Sequence, residues 1–300
     1  MLINQELQTI QSAVAERLLN RSQGLKVAYI MSRFPKLTET FILYEMLAMR
    51  QQGIQVEVYP LLREHEDVLH PEAVQFVEAA HFQPFISFPI VRANLHFLWK
   101  TPLVYLKTLW DLLRSNWGSF NFFTGVIGIF PKTVLFAYQM RSENVQHIHA
   151  HFASHPAAAG FIIHRLVGIP YSFTAHGSDL HRDRHMLREK VAEAAFVAAI
   201  SEYNKEIIIS ECWGNYSEKV NVVHCGVDTE VFRSRFHETP YEKGENPFMV
   251  LCVGTLHEVK GQAHLIEACR QLQGRGLDFE CHFVGDGPDK KFLTELVEQA

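Results

Sequence analysis

The strongest constraint in this chain is an alternation. Short apolar, β-rich runs recur along it: KVAYIMS (26–32), QVEVYPL (55–61), QHIHAHF (146–152), YSFTAHG (171–177), AAFVAAIS (194–201) and KVNVVHC (219–225). Segments of helical length separate most of them. Strands joined by helices cannot pair as hairpins, because each parallel strand needs a crossover, and the pattern therefore predicts a parallel sheet with helices on both faces. In such sheets ligands lie beyond the carboxyl ends of the strands. Ser32, His151, His176, Ser201 and Gly226 should then share one rim.

The alternation pauses at SRFHETPYEKGENP (234–247), which is polar and carries two prolines, and it restarts beyond. FMVLCVG (248–254), a helix over 261–274, LDFECHFVG (277–285) and a helix from about 289 follow. Two strands with two helices do not form a sheet buried on both faces. The expectation is an α/β chain with two doubly wound domains, the second incomplete. Its parts are an amphipathic helical extension (1–23), a first domain (24–235), a linker (236–247) and a partial second domain (248–300).

Composition removes several classes. The formal charge is −5, which argues against a nucleic-acid partner. The five cysteines (Cys212, Cys225, Cys252, Cys269, Cys281) are scattered without a CxxC pair and read as reduced core residues of a cytosolic protein. The N-terminus has acids and glutamines where a signal peptide needs an apolar run, and no stretch of about 18 apolar residues suggests a transmembrane helix. One region departs from the average. Residues 82–141 hold nine of the 22 Phe, three of the four Trp, and six Lys or Arg against one acid, Asp111. Two readings stand: helices packed on the sheet with solvated charges, or an aromatic and basic surface suited to anionic lipid.

Several short motifs carry chemistry. In VGTLHEVKGQ (253–262), Gly254 permits a tight turn after a strand, Gly261 lets backbone approach a ligand at a helix start, and Lys260 adds a point charge where helix amides favour phosphate. In HFVGDGPDKKF (282–292), Gly285 and Gly287 flank Asp286 directly after a strand. Thr38, Glu39 and Thr40 stand where the first loop meets a helix, with Thr38 a candidate cap, and Ser201–Glu202 starts another. His147, His149 and His151 point to one face of a strand. Imidazoles on a single extended strand rarely converge on one ion without other elements, and no DxD pair exists, so the reading is no metal. His151, nearest the rim, is a candidate acceptor contact.

The order of these pieces resembles glycosyltransferase family 4, enzymes of GT-B fold with two Rossmann-like domains facing a cleft. SRFPKLTETFI (32–42), HIHAHFA (147–153), FTAHGSDL (173–180), ISEYNKEII (200–208), HCGVDTEVF (224–232), VGTLHEVKG and VGDGP are similar to that family's blocks, and follow its order. The first resembles members that build exopolysaccharides, colanic-acid-type enzymes among them. The resemblance implies a retaining, metal-independent transfer from a UDP- or GDP-sugar to a saccharide or lipid-linked acceptor, without another cofactor, at the inner face of the cytoplasmic membrane. It implies His176, followed by Gly177, near the transferred sugar. It puts Thr38, Glu39 and Thr40 near donor phosphate and acceptor, and Ser201 and Glu202 at the cleft. It puts Lys260 on the diphosphate, and Gly285 and Gly287 along the nucleotide. Thr255 stands where the family usually has an arginine, and the family's two glutamates eight residues apart are expected beyond residue 300. A rival reading is a non-catalytic acceptor- or membrane-binding subunit. A nicotinamide oxidoreductase lacks support, because YIMSRFPKLTET replaces GxGxxG after the first strand.

Overall fold

The computed structural model describes residues 24–65, 68–181, 183–232 and 247–299. The expected N-terminal helix (1–23) and all of the linker but Pro247 lie outside the described residues. The chain divides into two compact units, meeting between Val227 and Asp228.

The first unit contains β1 (Lys26–Phe34), α1 (Thr40–Gln51), β2 (Gln55–Arg63), α2 (Val74–Ala79), α3 (Phe88–Lys100), α4 (Pro102–Ser115) and α5 (Phe120–Ser142). It continues with β3 (His147–His151), α6 (His155–Val167), β4 (Tyr171–Ala175), α7 (Gly177–His181), α8 (Leu187–Glu193), β5 (Phe196–Ala199), α9 (Glu202–Glu211) and β6 (Val220–Val222). The strands form one parallel sheet in the order β2-β1-β3-β4-β5-β6. The chain leaves β1 toward β2 on one side and returns to β3 on the other. The topological switch point therefore lies between β1 and β3, where a doubly wound sheet opens a crevice.

Both sheet faces are covered. Along β1, Ala28 and Ile30 join one core with Ile148, Ala150, Phe136 and Phe161, while Val27, Tyr29 and Met31 join a second with Ile42, Leu43 and Met46 of α1. That is period-two alternation with apolar residues on both sides, the pattern of a strand buried twice. Two expected strand ends shift. Ser32 lies inside β1, which runs on to Phe34, and Gly226 lies beyond β6, which stops at Val222. Its neighbour β5 ends at Ala199, whose carbonyl accepts the Val223 amide at 2.8 Å as the last bond of the ladder.

Region 82–141 is packed on the first unit as helices with its charges at the surface, the first of its two readings. Ile90, Ala93 and Phe97 of α3, and Thr108 and Leu112 of α4, are buried, while the opposite faces expose Leu95, Trp99, Leu103, Leu106 and Trp110. Arg92, Lys100, Lys107 and Arg114 are exposed with them. α5 is 23 residues long and apolar enough by length and composition to cross a membrane, and 56% of its apolar stretch is buried inside the unit.

The second unit has β7 (Phe248–Val253), α10 (Gln262–Gly274), β8 (Phe279–Val284) and α11 (Lys290–Glu298). β7 and β8 pair in parallel. Its described core is small: Leu256, Ile266 and Leu293. Met249, Leu251 and Val253 of β7 stay exposed.

Phe161 of α6 is fully buried, and Phe120 is 85% exposed. Phe161→Ala should cost about 3–5 kcal/mol of stability, the range for a buried aromatic cut to a methyl. Phe120→Ser should change it by less than about 0.5 kcal/mol. Urea denaturation midpoints compare the two.

Candidate functional site

The site in the first unit is built around Asp179. Its Oδ2 accepts the Ala153 amide, just past β3, at 2.5 Å and the His176 amide, just past β4, at 3.2 Å. One carboxylate oxygen thus fixes the spacing of two neighbouring strand ends. Asp179 is buried, and burial pushes its carboxyl up to about 6 although both amides pull the other way. Lys190, also buried, donates to Ala153 O at 2.5 Å and His185 O at 3.0 Å. Burial lowers its ammonium to about 8, against the opposing charge of Asp179.

His176 is 7% exposed and packs against the rings of Phe41 and Phe152, each centroid 4.7 Å away. Burial, then His151, depress its pKa to about 4, so the ring is neutral near pH 7. Its Nε2 is 3.4 Å from His151 Nδ1. Gly177 opens the short helix α7, which returns Asp179 to the strand end.

A polar cluster adjoins the switch point. His147, His149 and His151 lie on one face of β3. Ser172 Oγ meets His147 Nε2 at 2.7 Å and His149 Nδ1 at 2.8 Å, and Thr174 Oγ1 is 3.0 Å from His149 Nε2. Glu45 of α1 reaches over them, its Oε1 accepting from the Tyr29 hydroxyl at 3.0 Å. Burial opposes ionisation of Glu45, and His151, His149 and that hydroxyl together outweigh it, holding its carboxyl at about 2. Burial, with the charge of His151, takes His149 down to about 3. His151 is fully buried, so its ring does not stand at the surface where an acceptor would touch it; His176 and Phe41 cover it.

The first loop departs from its expected chemistry. α1 starts at Thr40, and its cap position is Glu39, which makes no side-chain cap bond. Thr38 is exposed and does not cap, and the Glu39 carboxylate pairs with Lys36 Nζ at 2.6 Å. Ser201 does cap: its Oγ accepts from the Asn204 amide at 3.2 Å, with Glu202 exposed in the first turn of α9.

In the second unit the two glycine turns touch. A Cβ on Gly285 would stand 2.0 Å from Gly254 O, and one on Gly287 2.3 Å from Leu256 O. The glycines are required by backbone meeting backbone, which brings both strand-end turns to one place. Gln262 braces them, its buried side chain donating to Thr255 O at 2.9 Å. Gly261, at φ +70°, is the cap position of α10. Lys260 is exposed just before it and has no ion pair among the described residues.

Two family models match in tandem: Glycosyltransferase Family 4 over residues 118–231 and Glycosyl transferases group 1 over residues 234–300. Both matches are to glycosyltransferase families. It is 27% identical over 288 residues to WcaL of Salmonella typhimurium, named for colanic acid biosynthesis, covering 92% of this chain and 68% of that protein. It is 31% identical over 162 residues to TuaC of Bacillus subtilis, named for teichuronic acid biosynthesis, covering 49% of this chain and 39% of the other. Among solved structures, a Rickettsia africae glycosyltransferase superposes with a TM-score of 0.58 at 15% identity, over 92% of this chain and 64% of that one. Anabaena Alr3699/HepE in complex with UDP-glucose gives 0.56 at 16%, over 92% and 65%. The fold is that of GT-B proteins, and the chain spans about two thirds of the length of WcaL and of these two solved structures.

For this glycosyltransferase chain, reading the sequence brought out His176 and missed its supports. Asp179 lies inside FTAHGSDL, three residues after His176, and was the available signal. Glu45 and Lys190 carry no local signal, because each acts on residues far away along the chain.

Neutral burial of histidines has a pH consequence. His149, His155 and His176 have folded pKa values of about 3, 4 and 4, below the ordinary 6.5. The unfolded chain takes up these protons first on acidification, so the stability is complete above about pH 6.5 and is lost toward pH 4. His155 stacks on Phe122 at 5.0 Å and its Nε2 has no hydrogen-bond partner. The urea midpoint should fall between roughly pH 7.5 and pH 5, and His155→Phe should fall less. An equal fall in the variant would remove His155 from the account.

Proposed function

We propose that this chain handles donor and acceptor in a glycosyltransferase that moves a sugar from a UDP- or GDP-sugar to a saccharide or lipid-linked saccharide in cell-surface polysaccharide assembly. The transfer retains the anomeric configuration. The observation that carries the reading is His176: a neutral imidazole held at the carboxyl end of β4, its amide clamped by Asp179, beside the switch point. A neutral imidazole in that place can hydrogen-bond a sugar hydroxyl without repelling a developing positive charge at the anomeric carbon. The names of WcaL and TuaC support the polysaccharide context, and the UDP-glucose in HepE supports the donor class.

Lys260 serves the departing diphosphate. It is exposed and unpaired among the described residues, ahead of α10, so its ammonium is free to neutralise leaving-group charge, the work a metal does in other folds. With Thr255 where the family has an arginine, Lys260 carries this alone in its turn. Thr38, Glu39 and Thr40 after β1, and Ser201 and Glu202 after β5, stand for the acceptor side and the cleft, and His151 acts behind His176 rather than on the acceptor. Gly254, Gly261, Gly285 and Gly287 shape the nucleotide side, and no other cofactor takes part.

The acceptor is presented at an anionic membrane on the cytoplasmic side. The outer faces of α3 and α4 support this, since Leu103, Leu106, Lys107, Trp110 and Arg114 follow helical spacing along one exposed stripe.

Donor-dependent transfer should fall at least ~100-fold in His176→Ala, and Lys260→Ala should lower kcat by a similar factor. The readout is product formation and nucleotide release with UDP- and GDP-sugars on lipid-linked acceptors. Full activity of His176→Ala, or no transfer and no donor hydrolysis by the wild type, defeats the transferase reading. In flotation, the chain should rise with anionic vesicles and less with neutral ones, and a Trp99→Ser/Trp110→Ser variant should stay in the dense fraction. Lipid binding without nucleotide affinity would favour a non-catalytic acceptor-binding subunit.

A further inference from the structure

The geometry points to a divalent metal site formed by Glu45, His149 and His151, of the zinc class. The two histidines come from one face of β3 and the carboxylate from α1, the second element that a row of imidazoles needs to surround an ion. One atom from each side chain can be chosen so that all three lie within 4.8 Å of one another.

The spacing is the first argument. Glu45 Oε1 is 3.6 Å from His149 Nε2, and Glu45 Oε2 is 3.6 Å from His151 Nε2. Such distances are too long for a hydrogen bond. They are close to the separation of two ligands on one tetrahedral ion, about 3.4 Å for bonds of about 2.0–2.1 Å. Donor atoms that approach without bonding one another leave room for something between them.

The second argument is an unsatisfied atom. His151 is fully buried, and its Nε2 has no hydrogen-bond partner. A buried ring nitrogen in that state calls for a ligand. The third is the outer support of both rings. His149 Nδ1 is 2.8 Å from Ser172 Oγ, and His151 Nδ1 is 3.4 Å from His176 Nε2. A ring that donates from Nδ1 keeps its Nε2 lone pair for a metal, the arrangement that orients ligating histidines. The Tyr29 hydroxyl, 3.0 Å from Glu45 Oε1, holds the carboxylate. The Thr174 hydroxyl, 3.0 Å from His149 Nε2, competes for the same lone pair and yields it when an ion binds.

Two imidazoles and one carboxylate suit zinc with an open fourth position, and suit magnesium or calcium poorly. Glu45, with a side chain 41% exposed, gives the ion its way in from solvent. A second group, Glu57, His81 and Glu143, is a weaker candidate. His81 Nε2 already bonds Glu57 at 3.2 Å, and Lys26 Nζ, 3.4 Å from the same carboxylate, brings a positive charge to the place a cation would take. With a metal on His151 Nε2, the Nδ1 proton faces His176 Nε2, and His176 must present its own proton at Nδ1. That consequence rests on the transferase reading; the binding does not.

The test is calorimetric titration of the chelator-stripped chain with zinc chloride alone, with cobalt(II) absorption as a report of tetrahedral geometry. One equivalent should bind with Kd at or below roughly 1 µM. Glu45→Gln, which keeps volume at a partly exposed position, and His151→Asn should each weaken binding at least ~100-fold, while His81→Gln leaves it unchanged. If His151→Asn does not fold, Glu45→Gln decides. Absence of binding, binding undiminished in Glu45→Gln, or binding lost only in His81→Gln would overturn the proposal. None of these readouts uses donor or acceptor, so failure here is distinct from failure of the transfer reaction.

Discussion

The first unit depends on one shared carboxylate oxygen. Asp179 Oδ2 takes the amide that follows β3 and the amide of His176 that follows β4. Strand ends at the rim of a parallel sheet have lost their ladder partners, and their free N–H groups must be met by something. Here one buried side chain from the next turn meets two of them. The cost is a desolvated carboxylate, visible in its raised pKa, and the buried Lys190 lies within its field and ties down Ala153 O. The position of His176 follows from this arrangement more than from anything in its own side chain.

Packing around His176 then sets its chemistry. Phe41 comes from α1 and Phe152 from the end of β3, and between them they exclude water from the ring. Desolvation disfavours the charged imidazole and keeps it neutral. On the far side lies the ladder of β3 histidines, held by Ser172, Thr174 and Glu45. A polar layer of this kind, inside an otherwise apolar sheet face, is costly unless its atoms are satisfied. The orphan nitrogen within this layer, on His151, is therefore informative.

Much of the fold could be read from the chain. Six expected strands appear, in a parallel sheet, because β-rich runs separated by helical lengths admit few other arrangements. Strand ends were less legible: β6 stops at Val222 although apolar residues continue, since pairing needs a neighbour and not only propensity. Thr38 looked like a helix cap and is not one, because the helix begins at Thr40. Ser201 looked like a cap and is one. Gly285 and Gly287 were legible as turn glycines, while their reason, contact with the backbone of Gly254 and Leu256, was not.

Local patterns in the chain were enough for the class of fold, the order of the family blocks and the identity of His176 and Lys260 as residues of interest. These are local properties: periodicity, short motifs, and residue types next to strand ends. Only the tertiary structure decided that Asp179 clamps two strands, that Glu45 reaches the β3 histidines, and that His151 is buried rather than at the rim. Each of these joins residues distant in sequence through burial and hydrogen-bond geometry, and none of the three is written in any window of the chain short enough to be read as a motif.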